Sequence, residues 1–239
     1  MDIWKELQDE GIDKALLDEI RQFRAAHPAT PEAAARIPVP RFLYYGKEIW
    51  ESAAAALLCG EHLLLAGPKA TGKNVLAENL AAVFGRPNWD VSMYVNVDAA
   101  SLIGADTLKD GKVVFREGPI CQCARMGGFG VLDEVNMAKN EALAVLHATL
   151  DFRRVIDVPG YERIELDPAT RFIGTMNYGY AGTRELNEAL VSRFVVLDMP
   201  VISEENLQKL LRRGFPGLSD KWIQQFSALF RDLRQKCDN

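Results

Sequence analysis

Gly67-Pro68-Lys69-Ala70-Thr71-Gly72-Lys73-Asn74 lies between a short apolar run, His62–Ala66, and an amphipathic stretch, Lys73–Phe84. In the stretch, Leu76, Leu80, Val83 and Phe84 fall on one stripe at helical spacing. The run before it is short and wholly apolar, as a strand covered on both faces must be. A strand, a glycine-punctuated loop and a helix in this order aim successive backbone N–H groups at one point. Partial positive charge at the helix start adds to them, and Lys73 can reach β- and γ-phosphates. Gly67, Pro68, Lys69, Ala70, Thr71, Gly72, Lys73 and Asn74 are therefore read as a phosphate-binding set. Asn74 stands where a hydroxyl would ordinarily meet Mg2+. An amide oxygen can ligate the ion, directly or through water, so Asn74 is a candidate metal ligand with altered geometry.

Around this loop the pattern alternates strand and helix. Further strands are expected at Trp89–Val95, Phe129–Asp133, Phe172–Thr175 and Val195–Asp198, with helices at Pro119–Met126, Lys139–Leu150 and Glu185–Ser192. Such alternation implies βαβ units, a parallel sheet and an α/β fold. Two segments interrupt it and read as inserted β-hairpins. Ser101–Glu117 carries Asp110-Gly111, a hairpin turn signal. Asp151–Asp167 carries Pro159-Gly160 between two alternating arms, Arg153–Val158 and Tyr161–Leu166. Met1–Ala26 shows helical spacing throughout and ends at His27-Pro28. An Ala/Pro-rich connector, Ala29–Pro40, and a helix over Glu48–Cys59 follow. Beyond Pro200 the chain turns helical at Glu204–Arg213 and Asp220–Lys236. The expected organisation is a helical segment and connector over 1–36, a nucleotide-binding core over 37–200, and the start of a helical lid over 201–239.

Three further constellations carry chemistry. Gly130-Val131-Leu132-Asp133-Glu134 is an apolar strand ending in two carboxylates, which in such sheets come to lie beside the phosphate loop. Asp133 can hold hydrated Mg2+, and Glu134 can polarise an attacking water. Asn177 ends another apolar strand and can bond a γ-phosphate or the water; asparagine after a strand is also ordinary turn chemistry. Arg193 sits at a helix end before a strand, where a plain capping cation is the alternative.

Phosphate loop, Asp-Glu strand, Asn-ended strand and Leu186-x-x-Ala189-Leu190-x-x-Arg193-Phe194, in this order, resemble the AAA+ ATPases, and within them the MoxR-type branch. Ser101-Leu102-Ile103-Gly104, the first hairpin and Glu117-Gly118-Pro119-Ile120 resemble that branch's helix-2 insert. Asp151–Asp167 resembles the hairpin before its sensor-1 strand. The likeness spans about Ile37–Pro200. It implies a P-loop NTPase three-layer sandwich around a parallel central sheet, with ATP and Mg2+ as cofactors. It implies Lys73, Asp133, Glu134 and Asn177 as the site within one chain, with Glu134 and Asn177 catalytic, and Arg193 as a catalytic arginine finger offered to a neighbour. It further implies a homo-oligomer in a hexameric ring, a protein client, and a von Willebrand factor A-domain protein as partner. The family's sensor-2 arginine has no recognisable counterpart in Val201–Asn239, so a partial lid and a truncated chain are expected.

Composition bounds the function classes. With 28 basic and 33 acidic residues the net charge is −5, and the pI is about 5.4. That disfavours broad attraction to nucleic acid, and the basic residues of the second hairpin are Arg153, Arg154 and Arg163. A DNA-stimulated motor is therefore the weaker alternative, beside a nucleotide switch or scaffold with weak hydrolysis suggested by Asn74. The apolar runs Ala53–Cys59 and Leu63–Ala66 are far below the ~20 residues of a membrane span. No basic stretch precedes an apolar run in Met1–Glu10, so no secretory signal is read and a cytoplasmic location is expected. The four cysteines and three histidines lack zinc spacing and read as reduced structural thiols.

Overall fold

The computed structural model describes residues 2–158, 160–178 and 185–237, with side chains through 233. The chain divides into two units, Met1–Met199 and Pro200–Asn239.

In the first unit, α1 (Ile3–Asp9), α2 (Lys14–Ala26), α3 (Pro31–Ala34) and α4 (Lys47–Leu58) precede β1 (Leu63–Ala66) and α5 (Lys73–Phe84). Then come β2 (Asn88–Ser92), α6 (Ala99–Ile103), the hairpin β3 (Gly104–Lys109) and β4 (Lys112–Glu117), α7 (Pro119–Arg125), β5 (Phe129–Asp133) and α8 (Asn140–Thr149). The hairpin β6 (Val155–Ile156) and β7 (Ile164–Glu165) leads to β8 (Arg171–Met176), α9 (Glu188–Val191) and β9 (Val195–Asp198).

Five strands form one sheet in the order β2-β5-β8-β1-β9, and every pairing in it is parallel. The near-unbroken apolar strands are explained by helices on both faces. Leu63 and Leu65 of β1 join Phe129, Val131 and Ile173 in a core with α4 and α5. Leu64 joins Leu132 and Phe172 in the opposite core with α7 and α8. The period-two alternation thus feeds two cores, and the three-layer α/β expectation holds.

The differences from the sequence reading have local causes. Met1–Ala26 is two helices, because Gly11 takes a left-handed φ of 74° and Asp13 caps a new helix through bonds from the N–H groups of Ala15 and Leu16 (2.7 and 3.1 Å). The Ala/Pro-rich connector contains one short helix, capped by Thr30. The strand expected over Trp89–Val95 is β2, Asn88–Ser92. The first hairpin begins at Gly104, because Ser101 closes a capping box with Asp98 and so belongs to α6. In the second, strand pairing is confined to Val155–Ile156 against Ile164–Glu165. Arg154 adopts φ 53° and its guanidinium turns to the carbonyls of Asp167 and Thr170; Pro159 lies outside the described residues. The helix expected over Glu185–Ser192 starts only at Glu188, where the Asn187 side chain caps it. Gly182, Thr183 and Arg184 are not described.

The two hairpins touch. The Tyr161 hydroxyl donates to Asp106 at 2.6 Å, and its ring stacks obliquely on Phe115 with centroids 5.0 Å apart.

Arginines bond the helix ends; Arg86 and Arg171 are buried and Arg24 is half-buried. Arg24 of α2 donates to the carbonyls of Ala82 and Val83, both at 3.0 Å, at the end of α5. Arg171 reaches the Leu57 carbonyl at the end of α4 (2.9 Å), and Arg86 bonds the carbonyls of Gly127 (2.6 Å) and His27. Cys121 and Cys123 are buried and unpaired. Burial pushes the Cys121 thiol up to about 12 and the Cys123 thiol up as well, as packed thiols should be.

In the second unit, α10 (Glu204–Gly214) is capped by Ser203 and packs against α11 (Asp220–Cys237). Arg212–Asp220 (3.2 Å) and Arg231–Glu204 (3.0 Å) join the pair. Among the described residues no helix is long and apolar enough to cross a membrane.

His62 gives a pH test of the sheet. Its Nδ1 accepts the Phe172 N–H at 3.0 Å, and burial, with Arg154 and Arg171 nearby, lowers its pKa from 6.5 to about 3. The unfolded chain therefore takes up a proton below pH 6.5 that the folded chain refuses. Stability should fall by about 1.4 kcal/mol per pH unit as pH drops from 6.5 toward 3. In urea unfolding across this window, His62→Asn, whose amide oxygen can accept the same N–H without titrating, should remove that part of the slope.

Candidate functional site

β1 ends at Ala66, and the loop after it is built around two glycines. Gly67 packs so closely that a Cβ there would meet the Met199 carbonyl at 2.8 Å. Gly72, at φ 86° and ψ 21°, turns the chain into α5 and offers no side-chain cap. The first-turn N–H groups of this 12-residue helix are thereby left for a ligand. Inside the loop the Lys73 ammonium donates to the carbonyls of Gly67 (3.0 Å) and Pro68 (2.7 Å) and to Thr71 Oγ1 (3.3 Å). Burial lowers its pKa, while the charges of Asp133 and Glu134 oppose the shift.

The parallel register brings the other candidates to the same edge. Ala66 pairs with Met176, and β5 lies beside β8, so Asp133, Glu134 and Asn177 emerge next to the loop. A cleft of about 320 Å3 is lined by Lys69, Ala70, Thr71, Gly72, Lys73 and Asn74 together with Asp133, Glu134 and Asn177. Gly67 and Pro68 take part through the carbonyls that hold Lys73. The Asn74 side chain is exposed beside the cleft.

Two residues that the sequence reading passed over tie this edge together. Thr175 Oγ1 donates to Asp133 Oδ1 at 2.6 Å and accepts the Glu134 N–H at 3.1 Å. Asn136 Nδ2 donates to the Asn177 carbonyl at 2.7 Å. Asn177 Nδ2 in turn donates to Glu134 Oε1 at 3.1 Å. Glu134 itself sits at φ 56°, a conformation that a non-glycine residue holds only when its surroundings fix it. A hydroxyl two residues before Asn177 was visible in the sequence, but only the pairing of β5 with β8 shows what it meets.

Cradle and carboxylates fit a nucleoside triphosphate with Mg2+. The first-turn N–H groups and Lys73 are donors of the kind an anion takes, and Asp133 and Asn74 are oxygen donors of the kind Mg2+ takes. Among the described residues no group of three His, Cys, Asp or Glu side chains could hold a metal ion on its own.

Arg193 lies elsewhere. It lines a larger hollow of about 1160 Å3 with His62, Arg171 and Val195, at the amino ends of the strands. Its guanidinium donates to the carbonyls of His147 (3.1 Å) and Ala189, and pairs with Asp151 at 3.7 Å. At roughly 3.3 Å per strand residue, the sheet separates it from Lys73.

Residues 62–194 match the AAA domain of the dynein-related subfamily. The chain belongs to that AAA family. The uncharacterised protein YojN of Bacillus subtilis is 35% identical over 235 residues, which cover 96% of this chain and 76% of that protein. A Staphylococcus haemolyticus relative, itself uncharacterised, is 34% identical over 200 residues, covering 81% of this chain and 76% of its own. Among solved structures, a Cytophaga hutchinsonii protein described as a candidate ATPase shares the fold with a TM-score of 0.61 at 19% identity; the likeness covers 88% of this chain and 59% of that longer one.

Thr175→Val tests the hydrogen bonding of this AAA edge. The substitution keeps the shape, removes the donor to Asp133 and strands the Glu134 N–H. It should cost about 1–3 kcal/mol in chemical unfolding, whereas Thr175→Ser should cost less than half as much.

Proposed function

We propose that the chain is an ATP-binding and ATP-hydrolysing subunit of a MoxR-type remodelling ring that acts on a protein client in the cytoplasm. The observation that carries this reading is the single cleft in which Lys73, Asp133, Glu134 and Asn177 converge. Bound Mg2+ would neutralise charge on the β- and γ-phosphates, with Asp133, and Asn74 directly or through water, as its protein donors. Lys73 exchanges loop carbonyls for phosphate oxygens. Glu134 accepts a proton from the attacking water, and Asn177 holds the Glu134 carboxylate in place. Phosphoryl transfer demands mainly positioning and charge stabilisation, which these groups supply.

Arg193 supports a ring. It lies at the strand edge opposite the phosphate loop, where it cannot reach its own chain's nucleotide but can face that of a neighbour. Guanidinium stays charged and forks onto two oxygens, and such an arginine is worth about 10³–10⁵ in rate. A hexamer follows from the MoxR resemblance, as does a von Willebrand factor A-domain partner. The acidic balance of the chain favours a protein over nucleic acid as client.

Lys73→Ala should abolish ATP binding, whereas Glu134→Gln should bind ATP and hydrolyse it slowly; equal loss of both in Glu134→Gln would make that residue structural. Arg193→Ala should bind normally and hydrolyse little, and mixing it with Lys73→Ala should restore part of the activity. Asn74→Thr should raise Mg2+ affinity or turnover, read from the Mg2+ dependence of hydrolysis. Loss of activity in that variant would show the amide to be an adapted ligand.

A further inference from the structure

We propose that Asn136 is a positioning residue that sets Asn177 against Glu134 and so governs hydrolysis without touching nucleotide. The proposal rests on the ATPase reading above and adds to it a residue outside the phosphate cleft's lining. Asn136 is 2% exposed and lies in the single helical turn Val135–Met137 that follows Glu134.

Three links close a ring. Asn136 Nδ2 donates to the backbone carbonyl of Asn177 at 2.7 Å, and the side chain of the same Asn177 donates to Glu134 Oε1 at 3.1 Å. The third link is covalent, through Val135 back to Glu134. The left-handed backbone of Glu134 is held by the Met137 N–H on its carbonyl (2.8 Å) and by Thr175 on its own N–H. Asn136 thus reaches from the loop after β5 to the loop after β8 and fixes the backbone from which the Asn177 amide is aimed.

A second observation separates this from plain packing. Asn136 Oδ1 is buried and accepts a bond from no described residue, while Val135 and Ala138 around it belong to the apolar core. An amide with an unsatisfied oxygen is a poor choice for such a place on stability grounds. What the residue contributes is the bond from Nδ2. Local rules are broken in this way at functional sites.

The test compares variants of the full chain by steady-state ATP hydrolysis, by titration with a fluorescent ATP analogue, and by thermal unfolding. Asn136→Leu keeps the branched skeleton and heavy-atom count and removes the amide. Its kcat should fall at least tenfold, in line with the sensitivity of such reactions to misplacement on the order of 1 Å. Its nucleotide affinity should stay within about twofold, and its melting midpoint should be no lower than that of the unsubstituted chain. In an Asn177→Ala background, Asn136→Ala should change kcat by less than about twofold, because the side chain it aims is already gone. Unchanged kcat in Asn136→Leu, or losses in Asn136→Ala and Asn177→Ala that multiply in the double variant, would overturn the proposal. Should Asn136→Leu not fold, the alanine cycle decides alone. ATP binding without hydrolysis by the unsubstituted chain would overturn the ATPase reading instead, a result visible before any variant is made.

Discussion

The interior position of β1, between β8 and the edge strand β9, is the constraint on which the rest depends. It is hydrogen-bonded in parallel to β8 on one side and β9 on the other, so its loop has no choice of neighbours. Its carboxyl end must share an edge with those of β8 and β5. That single fact brings together residues more than a hundred positions apart. It also sends Arg193, which precedes β9, to the other end of the sheet. One sheet therefore presents two chemically different rims, one with the Lys73 loop and the carboxylates and one with Arg193.

Three buried or half-buried arginines let the sheet hold this arrangement. Arg24, Arg86 and Arg171 donate to carbonyls at helix ends and loops. Burial lowers the Arg171 pKa to about 10, which still leaves it charged at neutral pH. Such groups are costly to bury unless fully bonded. Here they tie the amino-terminal helices to the layer that carries the phosphate loop.

Much of this was legible beforehand, for reasons that can be named. The helix Lys73–Phe84 and the strands Phe129–Asp133 and Val195–Asp198 were readable to the residue, because sharp signals bound them: a glycine at each end of the first, and carboxylates ending the others. The AAA family was readable because several motifs keep their order. Where a capping side chain decided, the reading overran. Asn187 shortened one helix, and Gly11 with Asp13 split another. The second hairpin was over-extended because alternation ignores what Arg154 does with its guanidinium. Thr175 and Asn136 escaped entirely: their partners are set by strand register, which no local pattern encodes.

The self-bonded phosphate loop has a thermodynamic consequence. Lys73 already satisfies three oxygen atoms of its own loop, so any anion that enters must outcompete them. Binding is an exchange of acceptors rather than the filling of a bare charge. Small singly charged ions offer too little to displace two carbonyls and a hydroxyl, while a polyphosphate brings several oxygens and more charge. Selection among anions would thus begin with the loop's own backbone, before any part of a base or sugar is read.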